Sequence, residues 1–235
     1  MNILFVTIIL VNTLIPSFIL SLNDVIISLK MSVNPNEITG VILAGGKSKR
    51  MGVDKATLKI GRHHLIDYPL SVLSNIFENV FVVTNGTLIG KLRKILCQSY
   101  TGVRIMKDII PNHGALGGIY TALHHADTRH VFVTACDMPF IKEDFIRFML
   151  KKLDPVHDVL IPESPGGIET LHAFYKKTLI PVIKDFMLKD KNKIKDFFSD
   201  VNVCYLPWED VVVFDSAGKM FRNINTPKEL RDSRI

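Results

Sequence analysis

Four cations, Lys47, Lys49, Arg50 and Lys55, follow the glycine pair Gly45-Gly46, and Asp54 is the sole acid among residues 40 to 55. The stretch reads Gly40-Val41-Ile42-Leu43-Ala44-Gly45-Gly46-Lys47-Ser48-Lys49-Arg50-Met51-Gly52-Val53-Asp54-Lys55. Glycine has no Cβ, so a ligand can approach the backbone N–H groups closely, and the cations add positive potential beside them. That combination suits a phosphate. Further along, Asp108 closes a strand-like segment, Val103-Arg104-Ile105-Met106, and Asp137 follows the apolar run Val131 to Cys136. A carboxylate at the end of a buried strand can hold Mg²⁺ between phosphates, and Pro139 stiffens the turn behind Asp137, which makes it the better metal candidate of the two.

A second reading fits the same letters. A strand followed by a glycine turn with solvated lysines needs no ligand, and an Asp after a strand is commonly a turn or cap residue. The spacing has neither the Gly-x-x-x-x-Gly-Lys-Ser/Thr of a P-loop nor the Gly-x-Gly-x-x-Gly of a dinucleotide turn. The adjacent pairs His63-His64 and His124-His125, taken as helical, point in different directions and make poor zinc chelates. His172, between Leu171 and Ala173 in a strand, suits either core packing or a substrate contact. Cys136 has no base spaced to activate it and reads as a small buried hydrophobe.

The elements that must position these residues alternate. Val41 to Leu43 is a buried strand, Ala56 to Ile60 a short edge segment, and Gly61-Arg62 a turn. Leu65, Ile66, Leu70, Leu73, Ile76 and Phe77 then recur at helical spacing. Val80 to Thr84 and Val103 to Met106 read as strands ending at Asn85-Gly86 and Asp108. Pro111 to Ile119 reads as a second glycine-rich turn leading into a helix through Tyr120 to His125. Strand 131–136, helix 142–153, strand 159–162 and strand 171–175 follow, then helical segments 179–188 and 193–198 and a strand 201–206. Thr226-Pro227-Lys228-Glu229 offers an N-cap, a first-turn proline and an N3 glutamate, so a terminal helix is expected there. This alternation predicts an α/β fold with a doubly wound, mainly parallel sheet in a single domain, 31–235. Ligands of such sheets bind outside the carboxyl ends of the strands, where the Gly45-Gly46 loop, Asn85, Asp108 and Asp137 all fall.

The net charge of +6 over 235 residues is modest, and the basic residues are scattered. An anionic small molecule accounts for it as well as nucleic acid does, and no nucleic-acid partner is expected. Three cysteines without ligand or redox spacing argue against a disulfide scaffold and for a reducing, cytoplasmic setting. Residues 1 to 22 are almost uncharged, yet they lack a basic n-region and a small-x-small cleavage pattern, and Asn12 and Pro16 interrupt them. We read Met31 as the true start and residues 1–30 as a mis-assigned or disordered extension outside the domain, with no membrane role expected; the alternative reading of the same residues is a genuine membrane anchor.

Leu43-Ala44-Gly45-Gly46-x-Ser48-x-Arg50-Met51-Gly52-x-Asp54-Lys55 resembles the signature of the nucleotidyltransferases that activate molybdopterin and sugar phosphates. Gly114-Ala115-Leu116-Gly117-Gly118-Ile119, Cys136-Asp137-Met138-Pro139 and Ile224-Asn225-Thr226-Pro227 extend the similarity over about residues 39 to 231 and point to the molybdenum cofactor guanylyltransferase family. The resemblance implies GTP and the molybdenum–molybdopterin cofactor as substrates, Mg²⁺ as cofactor, and acceptor molybdoenzymes or their chaperones as partners. It implies that Leu43, Ala44, Gly45 and Gly46 meet the guanine nucleotide through their backbone. Arg50 and Lys55 would hold the triphosphate, Asn85 and Asp108 would belong to the nucleotide site, and Asp137 would bind Mg²⁺ and GTP. Ala115 and Ala173 stand where the family has prolines, and His172 corresponds to the histidine before the second of these.

Two rivals remain at this level. A cytidylyltransferase or sugar-phosphate nucleotidyltransferase would share the fold. Cytidyl relatives tend to carry Leu-Ala-Ala-Gly, whereas Gly45 here leaves more room for a purine. A non-catalytic nucleotide-binding or cofactor-delivery protein would not need a metal carboxylate beside paired cations.

Overall fold

The computed structural model describes residues 33–45, 54–97, 100, 102–225 and 229. Four apolar runs build its centre: β1 (Ile38–Leu43), β4 (Asn79–Thr84), β6 (His130–Ala135) and β7 (Val159–Ser164). They join β5 (Arg104–Lys107), β9 (His172–Lys176) and β10 (Val203–Leu206) in the order β10-β7-β9-β6-β1-β4-β5. A short β8 (Gly167–Ile168) folds back on β7. The pairs β1/β4, β1/β6, β4/β5 and β7/β10 are parallel. β9 runs antiparallel to both of its neighbours, β6 and β7. The mainly parallel α/β sheet is as the alternation predicted.

Side chains alternate across this sheet, and each face has its own core. Ile38, Ile42, Val80, Val82, Phe132 and Phe174 face one layer, formed by α1 (Asp67–Ile76), α2 (Ile89–Leu96), α4 (Glu143–Lys152) and α6 (Trp208–Val211). Val41, Leu43, Phe81, Val83, Val131 and Val133 face the other, formed by α3 (Gly114–His125) and α5 (Ile180–Leu188). Burial on both faces explains why the central strands read as unbroken apolar runs.

Several local expectations change. The glycine-rich segment 114–119 is the first turns of α3 itself. Glycine is tolerated there because the helix packs too closely for a side chain: a Cβ at Gly117 would lie 2.7 Å from the Ile110 carbonyl oxygen, and one at Gly118 would lie 2.9 Å from Leu43 Cδ2. His63-His64 forms β3 (His63–His64), paired antiparallel with β2 (Lys59–Ile60) across Gly61, which takes φ +60, so this pair is not helical. The expected pattern does not include helices α2 and α6 or strand β8: α6 and β8 are too short to set up a period, whereas α2 is amphipathic and buries Leu92 and Leu96 on one face. Segment Ile194–Asp200 is 3₁₀ rather than α. Of the expected terminal helix, Thr226, Pro227 and Lys228 lie outside the described residues, while Glu229 is helical.

The path from β1 through β4 to β5 builds one flank of the sheet, and α3 then carries the chain back across to β6 on the other side of β1. The carboxyl ends of β1 and β6 therefore border the point where strand order reverses, which in open α/β sheets is the ligand crevice. No described helix is long and apolar enough to cross a membrane.

Candidate active site

At this crevice β1 and β6 end together, with Cys136 N–H donating to the Leu43 carbonyl at 3.1 Å. The chain beyond β6 turns tightly, Met138 N–H reaching the Ala135 carbonyl at 3.2 Å, and Met138 and Cys136 are buried beneath it. This turn leaves the Asp137 carboxylate part-exposed at the rim. Burial pushes the Cys136 thiol far above its usual range, and the neighbouring Asp137 adds to the shift, so Cys136 is an inert apolar support.

Lys55 opens a 3₁₀ turn (Lys55–Thr57) whose Ala56 is buried in the core, which fixes where its side chain starts. Its ammonium donates to Asp137 Oδ2 at 2.6 Å and to Asn225 Oδ1 at 2.7 Å. The Lys55 and Asp137 side chains are 19% and 16% exposed, so the pair is shielded more than a surface ion pair yet open on one side. Asn225 arrives on a C-terminal strap. Ile224 N–H donates to the Asp137 backbone carbonyl at 2.8 Å, Glu229 Oε2 accepts from Asn225 N–H at 2.7 Å, and Phe221 anchors the strap against Phe145 and His172. Three segments far apart in sequence thus converge on one ammonium. The Ile-Asn-Thr-Pro motif was visible in the sequence, but a position for Asn225 against Lys55 was not.

Asp108 follows β5, and its Oδ1 accepts from Thr121 Oγ1 at 2.9 Å and from Ile110 N–H at 3.0 Å. Thr121 sits on α3, so this carboxylate ties the end of β5 to the helix that leaves it. Leu43 and Ala44 spend backbone groups within the fold: Ala44 N–H donates to the Val83 carbonyl at 2.8 Å, and the Ala44 carbonyl accepts from Thr84 Oγ1 at 3.0 Å. Gly45 is the first exposed residue beyond β1. A Cβ there would meet Asn85 N at 3.6 Å, an ordinary contact, so packing does not demand glycine at this position. Asn85 is exposed beside it, its Oδ1 accepting from Thr87 Oγ1 at 2.8 Å. Gly46 and Arg50 lie outside the described residues, as do Lys47, Ser48 and Lys49.

His172 is fully buried, with the rings of Phe132, Phe221 and Phe145 at 5.2, 5.2 and 5.6 Å and no partner for either ring nitrogen among the described residues. Burial lowers its pKa to about 3, so the ring is neutral at physiological pH. Of the two readings left open by the sequence, this is core packing, and its contribution to the site is as the floor beneath the strap. A cavity of about 420 Å³, bordered by Val33, Glu37, Arg129, His130, Lys176 and Lys177, lies at the amino ends of β1 and β6, the end of the sheet opposite these groups.

The hard oxygens of Asp137 and Asn225 converge on a cation, which is the chemistry a divalent metal needs. Among the described residues no group of three His, Cys, Asp or Glu side chains gathers, so a metal here would draw most of its ligands from water and substrate phosphates, the usual habit of Mg²⁺. An open α/β sheet with a cationic, carboxylate-bearing crevice at its switch point suits an enzyme that handles anionic ligands such as nucleotides. Residues 40–203 match the MobA-like NTP transferase domain, and the chain belongs to that family.

A probable molybdenum cofactor guanylyltransferase of Pelotomaculum thermopropionicum is 35% identical over 199 residues, covering 85% of this chain and 93% of that protein. The molybdenum cofactor guanylyltransferase of Syntrophotalea carbinolica is 31% identical over 198 residues, covering 83% and 90%. Molybdopterin-guanine dinucleotide biosynthesis protein A from Archaeoglobus fulgidus superposes with a TM-score of 0.68 at 27% identity, over 83% of this chain and 96% of that one.

Proposed function

We infer that the protein transfers GMP from GTP to the terminal phosphate of the molybdenum–molybdopterin cofactor, releasing pyrophosphate. Relatives carrying that activity in their names match over most of both chains, and the Lys55–Asp137–Asn225 cluster lies beyond the carboxyl ends of β1 and β6, the side on which open α/β sheets bind ligands. The cluster is the observation that carries the reading at the level of chemistry.

A phosphate monoester is already anionic at neutral pH, so attack on the α-phosphorus needs no general base. The chain's task is positioning and charge. Lys55 meets the triphosphate and Gly45 leaves the end of β1 open for the nucleotide, and Gly46 and Arg50 are assigned to the nucleotide by the family resemblance alone. The gap at Gly45 favours guanine over a smaller base. Asp137 would hold Mg²⁺, which when bound would supply charge neutralisation at the phosphates. Asp108 keeps the β5 end and α3 in register on the nucleotide side. In-line attack by the pterin phosphate forms one P–O bond as the bond to pyrophosphate breaks.

Incubation with Mg²⁺, molybdopterin and each of the four NTPs separately tests this. Pyrophosphate release with GTP, dependent on the pterin and accompanied by the guanine dinucleotide product, is expected. Equal turnover with CTP, or release that ignores the pterin, would overturn it.

A further inference from the structure

The Lys55 ammonium lies within hydrogen-bonding distance of two hard oxygens, Asp137 Oδ2 at 2.6 Å and Asn225 Oδ1 at 2.7 Å. These are the donors a divalent cation would also seek, so one seat serves two cations. Resting on the reading above, we propose that Lys55 competes with the divalent metal for Asp137, and that the nucleotide resolves the competition by offering the ammonium a phosphate partner.

The physical reasoning is electrostatic. A metal on the Asp137 carboxylate shares its charge with an ammonium already bound there, and two cations on one part-shielded anion repel each other across a short distance. Metal without nucleotide must therefore displace Lys55 or tolerate it, and either costs affinity. Moving the ammonium onto phosphate oxygens removes that cost and exchanges one charge-assisted hydrogen bond for another. Metal and nucleotide consequently bind with positive coupling beyond direct metal–phosphate bonding, and linkage makes the coupling reciprocal. Asn225 is a positioning residue in this scheme: its amide oxygen, delivered by the strap through Ile224 N–H on the Asp137 carbonyl, holds the ammonium at the metal's seat.

The test uses the full chain and Mn²⁺ alone, without nucleotide or pterin, with affinity read by electron paramagnetic resonance. Lys55→Met and Lys55→Gln are expected to bind Mn²⁺ about tenfold more tightly than the wild-type protein, in the middle of the usual range for coupled sites. Lys55→Arg, which keeps the charge, should stay near wild type. Adding a non-hydrolysable GTP analogue should raise Mn²⁺ affinity in the wild type by a larger factor than in either neutral variant. Unchanged or weaker Mn²⁺ binding in the neutral variants overturns the proposal.

A second measurement needs no variant. Mn²⁺ should increase labelling of Lys55 by an amine-reactive reagent several-fold, read by mass spectrometry of the Lys55 peptide, because displacement frees the ammonium. Labelling that ignores Mn²⁺ also overturns it. Neither readout depends on GMP transfer, so failure of the exchange and failure of the guanylyltransferase reading are separate results.

Discussion

Asp108 and Asp137 look alike in the sequence, each standing directly beyond a parallel strand of one sheet, yet the molecule treats them differently. Asp108 has its Oδ1 taken by a backbone N–H and a helix hydroxyl of its own neighbourhood, within 13 residues along the chain. Asp137 instead faces an ammonium 82 residues away, beside an amide oxygen that belongs to a strap near the C-terminus. The first carboxylate is held by the fold and the second by the Lys55 ammonium. A strand-end Asp is thus both a turn-former and a chemical group, and its partners decide the balance between the two.

Breaking the second carboxylate should cost activity and little else. Asp137→Ala is expected to lower pyrophosphate release about 10³-fold, the scale for losing one main electrostatic element of a transfer site. Its unfolding free energy should change by no more than about 1 kcal/mol, because the backbone carbonyl that anchors Ile224 remains. Near-normal turnover in that variant removes the site.

Asp108 should show the mixed pattern. Asp108→Ala strands Ile110 N–H and Thr121 and should lose about 1–3 kcal/mol in urea unfolding along with some activity. Asp108→Asn keeps a carbonyl oxygen for both donors, so it should retain stability. Any fall in its kcat/KM then isolates a need for the negative charge.

The two glycine stretches sharpen the same contrast. Gly117→Ala pushes a Cβ to 2.7 Å from a backbone oxygen and should destabilise by about 1–3 kcal/mol. Gly45→Ala meets only ordinary contacts, so its melting temperature should hold while its preference for GTP over CTP narrows. If both glycines behaved alike, the division between a fold edge and a ligand edge would fail.

The smallest effect at neutral pH concerns His172. An unfolded histidine takes up a proton near pH 6.5, whereas the buried ring resists it down to about 3. The unfolded state therefore binds more protons between those values, and stability is complete above about pH 6.5 and declines as pH falls toward 3. Burial lowers His130 to about 4 in the same direction. His172→Phe should flatten the dependence and move the acid-unfolding midpoint to lower pH, followed by circular dichroism.

Much of this was legible in one dimension because it depends on local pattern. Strands buried on both faces must be apolar throughout, so Val80 to Thr84 and Val131 to Ala135 declared themselves. Placing Asp137 just beyond the second of these, and Asp108 just beyond the shorter strand at Val103 to Met106, followed from chain order alone. Helix 114–125 was misread at its start because glycine is a poor helix former, and only the closeness of Ile110 and Leu43 explains why it is used there. His172 could not be assigned either, since burial among Phe132, Phe145 and Phe221 depends on an antiparallel β9 and on a strap 49 residues later in the chain.

By itself the sequence determined the alternating α/β order, the family, and the residue types able to hold a nucleotide and a metal, because periodicity and motif spacing are properties of neighbouring residues. Tertiary structure alone decided which of those residues share a charge. Lys55, Asp137 and Asn225 meet only because β6 inserts beside β1 and the strap packs its Phe221 and Ile224 against that edge, and contacts of that kind arise from packing between segments that carry no mark of each other in the chain.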